Sequence, residues 1–201
     1  MALPTLEHER RLGGPVCGID EVGRGPWAGP VVAAAVMLDF ARVPDGLDDS
    51  KRLPAVRRRE LDIEIRACAH VSIAMASVEE VDRLNVLGAS MLAMERALAG
   101  LPHPPGHALV DGNRLPRLPC PGTAIVGGDG LCASIAAASI VAKVARDALM
   151  AELAGQHPGY GWERNAGYGT REHQDGLARL GVTSHHRRSF RPIAALLAGK
   201  P

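Results

Sequence analysis

Apolar residues recur along this chain in short Val-rich runs and in longer stretches with helical spacing, and their alternation predicts a mixed sheet flanked by helices. Positions 16–22 and 31–38 read as strands, and the Gly- and Pro-containing turn 23–30 between them predicts an antiparallel hairpin. Val71, Ile73 and Met75 alternate with smaller or polar neighbours, which predicts a third strand over 70–76. Between the second and third strands, residues 54–69 have helical character, with Pro54 near the first turn and Leu61, Ile65 and Cys68 on one face. Ser77 followed by Glu80 has the form of a capping box, and helix is expected from there to about residue 99. After a Pro-rich linker come strands over 107–111 and 123–127, separated by a Pro-rich loop, and a long helix over about 133–154. Its first half is crowded with Ala and Ser, which suits close packing against the sheet. No internal repeat or domain boundary interrupts this pattern.

Where the apolar runs end, acids follow. Asp20 and Glu21 lead into Gly23-Arg24-Gly25, Asp111 is followed by Gly112, and Asp129 comes after Gly127-Gly128. Any one of these acids could be a simple turn or cap residue, but acids at the ends of several strands are how a sheet presents carboxylates to a shared site. Unperturbed Asp and Glu titrate near 3.9 and 4.3, so four such groups brought together at neutral pH repel unless cations neutralise them. A donor set of oxygen without clustered Cys or His suits Mg2+ or Mn2+ rather than zinc. Two such ions about 3.5 to 4 Å apart suit the in-line cleavage of a phosphodiester.

The 201 residues, 46% hydrophobic and 22% charged, are enough for one well-buried domain. Residues 1–11 lack the apolar core of a signal peptide, and no run of eighteen apolar residues occurs, so a soluble cytoplasmic protein without membrane contact is expected. Cys17, Cys68, Cys120 and Cys132 are scattered without metal-binding spacing and read as free thiols. A net charge of +1 neither establishes nor excludes nucleic-acid binding. Charge distribution says more. Arg57-Arg58-Arg59 reads as a solvated helix face, whereas His185-His186-Arg187-Arg188 with Arg191 forms a basic segment anchored by the apolar residues that follow it.

The ordered motifs resemble those of the ribonuclease HII family. They are Gly18-Ile19-Asp20-Glu21 with Gly23-Arg24-Gly25, Ala28-Gly29-Pro30-Val31-Val32, Asp49-Ser50-Lys51, Val110-Asp111-Gly112-Asn113, the Ser- and Ala-rich segment 134–144, Gly167-Tyr168-Gly169-Thr170, and His186-Arg187-Arg188-Ser189-Phe190. The resemblance implies an α/β ribonuclease H-like fold, a central five-stranded mixed β-sheet flanked by α-helices. One catalytic domain over 1–201 is expected, with a short basic segment at about 184–201. It also implies a metal-dependent endoribonuclease that hydrolyses the RNA strand of RNA/DNA hybrids and cuts 5′ of single ribonucleotides embedded in duplex DNA, leaving 5′-phosphate and 3′-hydroxyl ends. Ribonucleotide excision and removal of primer RNA are the roles expected of such an enzyme, acting as a monomer.

Within that picture Asp20 and Asp129 are the expected central ligands of Mn2+ or Mg2+, with Glu21 and Asp111 completing the catalytic set. Gly23 and Gly25 allow backbone groups to approach a sugar edge, and Arg24 adds a phosphate partner. The resemblance assigns Tyr168 to the ribose-to-deoxyribose junction; on the residues alone, a packed loop tyrosine is the preferred reading. Lys51, Lys143, Arg146, Arg187 and Arg188 are candidate substrate contacts, with surface or helix-packing roles equally open for Lys51, Lys143 and Arg146, and His173 is expected to cap or pack a short helix. The chain departs from the family pattern at Gly127 and Ala166, where lysine is common, at Cys132, near a common serine, and at Ser184, near a common proline. Two other readings are weaker. A related ribonuclease H needing a run of ribonucleotides lacks the Gly-Arg-Gly and Gly-Tyr-Gly elements, and a non-catalytic hybrid-binding protein has no need of four acids.

Overall fold

In the computed structural model, residues 3–199 are described; positions 1–2 and 200–201, at the ends of the expected domain and basic segment, lie outside the described residues. A short helix α1 (Glu7–Leu12) precedes the hairpin of β1 (Val16–Val22) and β2 (Val31–Leu38). Then come α2 (Ala55–Cys68), β3 (Ala69–Ala76), α3 (Val78–Ala99), β4 (His107–Asp111) and β5 (Gly122–Ile125). A 3-10 turn, Gly128–Gly130, leads into α4 (Ala133–Gln156), followed by α5 (Trp162–Asn165), α6 (Arg171–Leu180) and α7 (Arg191–Leu197). The strands form one five-stranded sheet in the order β3-β2-β1-β4-β5. The β1–β2 and β2–β3 pairs are antiparallel, while β4 pairs parallel with both β1 and β5.

The alternation along β1 sorts the two faces of the sheet. Cys17 and Ile19 point into a core shared with Val81, Ala93, Met94 and Ala97 of α3. On the opposite face, α2 and α4 pack their Leu61, Ile65, Ala137, Ile140 and Val141 over Ala34 and Val36. Gly18 belongs to that second face, and a Cβ there would stand 2.1 Å from the Ser134 carbonyl carbon. The small residues of α4 therefore let the helix backbone settle almost directly on β1. A third cluster, built from Ala28, Met150, Tyr160, Trp162, Leu177 and Ile193, ties α5, α6 and α7 to the hairpin turn.

Two elements differ from the sequence pattern. Helix α3 is kinked at Asn85, whose φ of 59° is non-helical and whose side-chain oxygen accepts from the Leu87 and Gly88 amides. It starts a second helical segment in mid-run, while the capping box of Ser77 and Glu80 starts the first as expected. Strand β5 stops at Ile125 instead of 127, because Gly127 adopts a left-handed conformation with φ of 66° that turns the chain towards Asp129.

Candidate active site

The central strands deliver the acids. Asp20 and Glu21 lie at the end of β1, and Asp111 ends β4, one step beyond the parallel Ile19–Val110 pair. Asp129 sits in the 3-10 turn after β5. The Gly128 amide donates to Asp111 Oδ1 at 2.7 Å, which ties that turn to the end of β4. Strand alternation sends Asp20 to the α4 side, near Ser139, and Glu21 to the α3 side. There Glu21, Arg24, Leu87, Met91, Asp111 and Asn113 line a cavity of about 260 Å3. A larger cavity, of about 610 Å3, lies at the other end of β1 beside Val16, Phe40 and Cys68, remote from the carboxylates.

Burial, reinforced by mutual repulsion, disfavours the charged form of Asp20, Glu21 and Asp129. Burial first, then Glu21, Asp111 and Asp129, push the Asp20 carboxyl well above the usual carboxylate range, against the neighbouring Ser139 hydroxyl. Glu21 is also raised, by burial, with Arg24 opposing. Asp129 is raised by burial and by Asp49 and Asp111. Burial works against the Lys51 ammonium, but Asp49, Asp129, Asp20 and Asp111 together outweigh it and raise its pKa. The four acids thus share one field, and two cations already reach into it. Lys51 Nζ stands 3.9 Å from Asp129, and Arg24 donates to Glu21 Oε1 at 3.2 Å.

The donor set fits hard divalent cations. Every candidate ligand is a carboxylate oxygen, and Glu21 Oε2 is a buried polar atom without a hydrogen-bond partner. Among the described residues, no three Asp, Glu, His or Cys side chains are yet arranged so that they could hold a metal ion. The carboxylates instead engage local donors: the Glu21 amide for Asp20, the Gly128 amide for Asp111, Arg24 for Glu21, and Lys51 for Asp129.

The basic candidates divide sharply. Lys51, Arg24 and Arg188 are exposed, and Lys143 is half-buried and bridges to Asp147 at 2.5 Å. Arg146 and Arg187, both candidate substrate contacts in the sequence, are buried and turned to backbone carbonyls instead. Arg146 donates to the carbonyls of Ala28, Pro30 and Ala166 at 2.9 to 3.1 Å. Arg187 donates to the carbonyls of Gly29, Arg24 and Gly23 at 2.9, 3.0 and 2.5 Å. Burial lowers both guanidinium pKa values, Arg146 to about 10 and Arg187 to about 9. They are internal clamps that fix the loop carrying Arg24, and Arg146 also ties it to the Ala166 carbonyl.

That loop is also bolted to the tyrosine loop. The Trp27 amide donates to the Gly167 carbonyl at 2.8 Å. A Cβ at Gly25 would stand 3.2 Å from Tyr168 Cε1, so the tyrosine ring lies over Gly25. Tyr168 is nonetheless 48% exposed, leaving a ring face free. Gly23 has a φ of 95°, and a Cβ there would meet Arg146 Nε at 2.2 Å, so only glycine fits over the clamp. His173 is buried and sits in the first turn of α6, where its amide donates to the capping Thr170 hydroxyl.

Several contributors carried little sequence signal of their own. Asp49, whose carboxyl helps to raise the pKa of Asp129, lies in an irregular loop with no apolar run to mark it. Ser139 bonds Ser50 at 2.7 Å and so joins the Lys51 loop to α4. Asp82 accepts from the amides of Arg188 and Ser189, which docks the basic segment on α3.

A profile of the family described as ribonuclease HII matches residues 17–193. The chain belongs to the ribonuclease HII family. A ribonuclease HII from Jannaschia sp. (strain CCS1) is 62% identical over 197 residues, covering 98% of this chain and 99% of the relative. Among solved structures, the ribonuclease H2 of Pyrococcus horikoshii OT3 superimposes with a TM-score of 0.77 at 23% identity, covering 92% of this chain and 98% of its own. Bst-RNase HIII in complex with Mn2+ gives 0.73 at 20% identity, covering 94% of this chain and 71% of its own. The five-stranded mixed sheet with flanking helices is therefore a ribonuclease H fold, and the chain is a ribonuclease H endonuclease. No helix among the described residues is long and apolar enough to cross a membrane.

Proposed function

We propose that this ribonuclease HII family member is a divalent-metal-dependent enzyme that hydrolyses the RNA strand of RNA/DNA hybrids and cuts 5′ of single ribonucleotides in duplex DNA. Asp20 and Asp129 would be the central ligands and Glu21 and Asp111 would complete the set, with Mg2+ or Mn2+ as the ion. A pair of such ions, when bound, supplies an activated water and a stabilised leaving oxygen for in-line displacement, which leaves a 5′-phosphate and a 3′-hydroxyl. The contribution of the protein is position. Gly23 and Gly25 bring backbone groups to the sugar edge, where a 2′-hydroxyl distinguishes RNA from DNA. Arg24, Lys51, Lys143 and Arg188 contact phosphates, which fixes register without reading sequence. Tyr168 stacks at the ribose-to-deoxyribose junction. Ribonucleotide excision and primer removal are the corresponding roles.

The observation that carries this reading is the packing of the Tyr168 ring over Gly25, in a loop clamped next to three acids on adjoining strand ends and a fourth in the turn after β5. A sugar sensor and a carboxylate centre on one rigid frame suit an enzyme that must cut beside a particular sugar. The first test is cleavage of an RNA/DNA hybrid in Mg2+ or Mn2+ against the same mixture with excess chelator. Cutting that persists in chelator would refute the metal assignment.

A further inference from the structure

Behind the Tyr168 loop lies a buried group of rings that the chemistry above does not use. His173, His186 and Trp162 are all almost completely buried, and Tyr160 packs against them. Their hydrogen bonds fix the position of each proton. The Thr183 amide can only donate, and it donates to His186 Nδ1 at 2.9 Å, so that nitrogen carries no proton. Neutral His186 therefore holds its proton on Nε2, which lies 3.0 Å from His173 Nε2. The Trp162 indole also can only donate, and it donates to the same His173 Nε2 at 3.1 Å. His173 Nε2 is therefore an acceptor, and its Nδ1 carries the proton. That Nδ1–H faces the Tyr168 carbonyl at 3.0 Å. Burial lowers the pKa of both histidines, which keeps the chain of donors in this order.

We propose that His173 is a positioning residue for Tyr168, locked in its Nδ1–H tautomer by Trp162 and His186 so that it holds the tyrosine backbone while the ring stays free to stack. The proposal deepens the junction role given to Tyr168 and rests on it. His186 belongs to the same segment as Arg187, which fastens the Gly23-Arg24-Gly25 loop. One stretch of chain thus sets both halves of the sugar sensor, the arginine holding the glycine loop and the histidine pair holding the tyrosine.

Two measurements test this. Nitrogen-15 spectra of the imidazoles in the intact protein at neutral pH should show His173 protonated on Nδ1 and His186 on Nε2. The second is the ratio of cleavage rates on a duplex with one embedded ribonucleotide and on a hybrid with an all-RNA strand. In His173→Asn the side-chain amide falls where Nδ1 stood, so the donor to the Tyr168 carbonyl survives and the ratio should stay near wild type. In His173→Gln the amide falls where Nε2 stood, that donor is lost, and the ratio should fall about fivefold, the weight of one buried hydrogen bond. Added to Tyr168→Ala, His173→Gln should lower the ratio no further. A proton on His173 Nε2, or equal ratios for the Asn and Gln variants, would overturn the proposal. Equal losses on both substrates for Tyr168→Ala would refute the junction role itself, and the tautomers would still decide whether His173 is held as described.

Discussion

The proposed chemistry turns on the carboxyl of Asp20, the most deeply buried of the four acids and one whose pKa the other three all raise. A group whose folded pKa lies above its unfolded value lends stability below the unfolded value, near 3.9, and loses it as pH rises through the folded one. In metal-free buffer Asp20 therefore weakens the fold at neutral pH. Asp20→Asn should eliminate metal-dependent cleavage while raising the melting temperature in chelator, and its advantage over wild type should grow as pH rises from about 4 to 8. Thermal melts in a pH series check this. A folded variant that cuts at more than about a tenth of the wild-type rate, little over 1 kcal/mol of lost transition-state stabilisation, would show that Asp20 is not a central ligand. Arg187 is the second residue with a sharp expectation. Its guanidinium is buried against three carbonyls, two of them in fully buried hydrogen bonds, so Arg187→Met should cost about 3 kcal/mol or more in stability, measured by denaturant unfolding. Arg188→Ala should be nearly neutral for stability, yet it should reduce the slope of log K against log salt for hybrid binding by about 0.9. A flatter slope without loss of stability in the Arg187 variant would return that residue to the phosphate-binding set.

Among the elements, the strands and the long helices were legible because their apolar spacing follows directly from which face they bury. Val71, Ile73 and Met75 marked β3, and the Ala-rich half of α4 marked its close seat on β1. The acids were legible because each follows a strand or the turn after it. Other features left no comparable mark. The Asn85 kink depends on one side chain capping amides in the middle of an apolar run, which periodicity does not register. Arg146 and Arg187 read as surface cations because an arginine in sequence shows its charge and not the carbonyls that absorb it. The histidine pair was invisible because its logic lies in which nitrogen accepts. At this scale His186 gives a pH expectation. Burial first, then His173, lower its pKa from 6.5 to about 4. Its contribution is therefore present above 6.5 and is lost as pH falls towards 4. A melting temperature that falls over that window in wild type should fall less in His186→Gln, and identical slopes would contradict the assignment.

For the whole molecule, near-neutral charge means that affinity for a polyanion must come from a few well-placed cations. Gly127 and Ala166 stand where lysine is common in the family, and both have positive φ. Ala166 already carries a Cβ in that conformation and borders the cleft lined by Arg58, Arg59 and Lys143, so Ala166→Lys should add a cation at little structural cost. Hybrid binding without metal should tighten and its salt slope should steepen by about 0.9. Gly127→Lys must force a side chain into a left-handed residue, at about 1 to 2 kcal/mol, and should gain less. Unchanged slopes in both would show that neither position faces phosphate. The central claim is that one rigid frame joins a metal-dependent carboxylate centre to a sensor of a single ribose. It is tested most directly by incubating a DNA duplex containing one ribonucleotide with the protein, with Mg2+ or Mn2+ and with chelator, and mapping the ends. The account predicts one metal-dependent cut on the 5′ side of the ribonucleotide, with a 5′-phosphate and a 3′-hydroxyl, abolished in Asp20→Asn. An intact duplex under conditions where an all-RNA strand is cut, or a cut on the 3′ side, would contradict it.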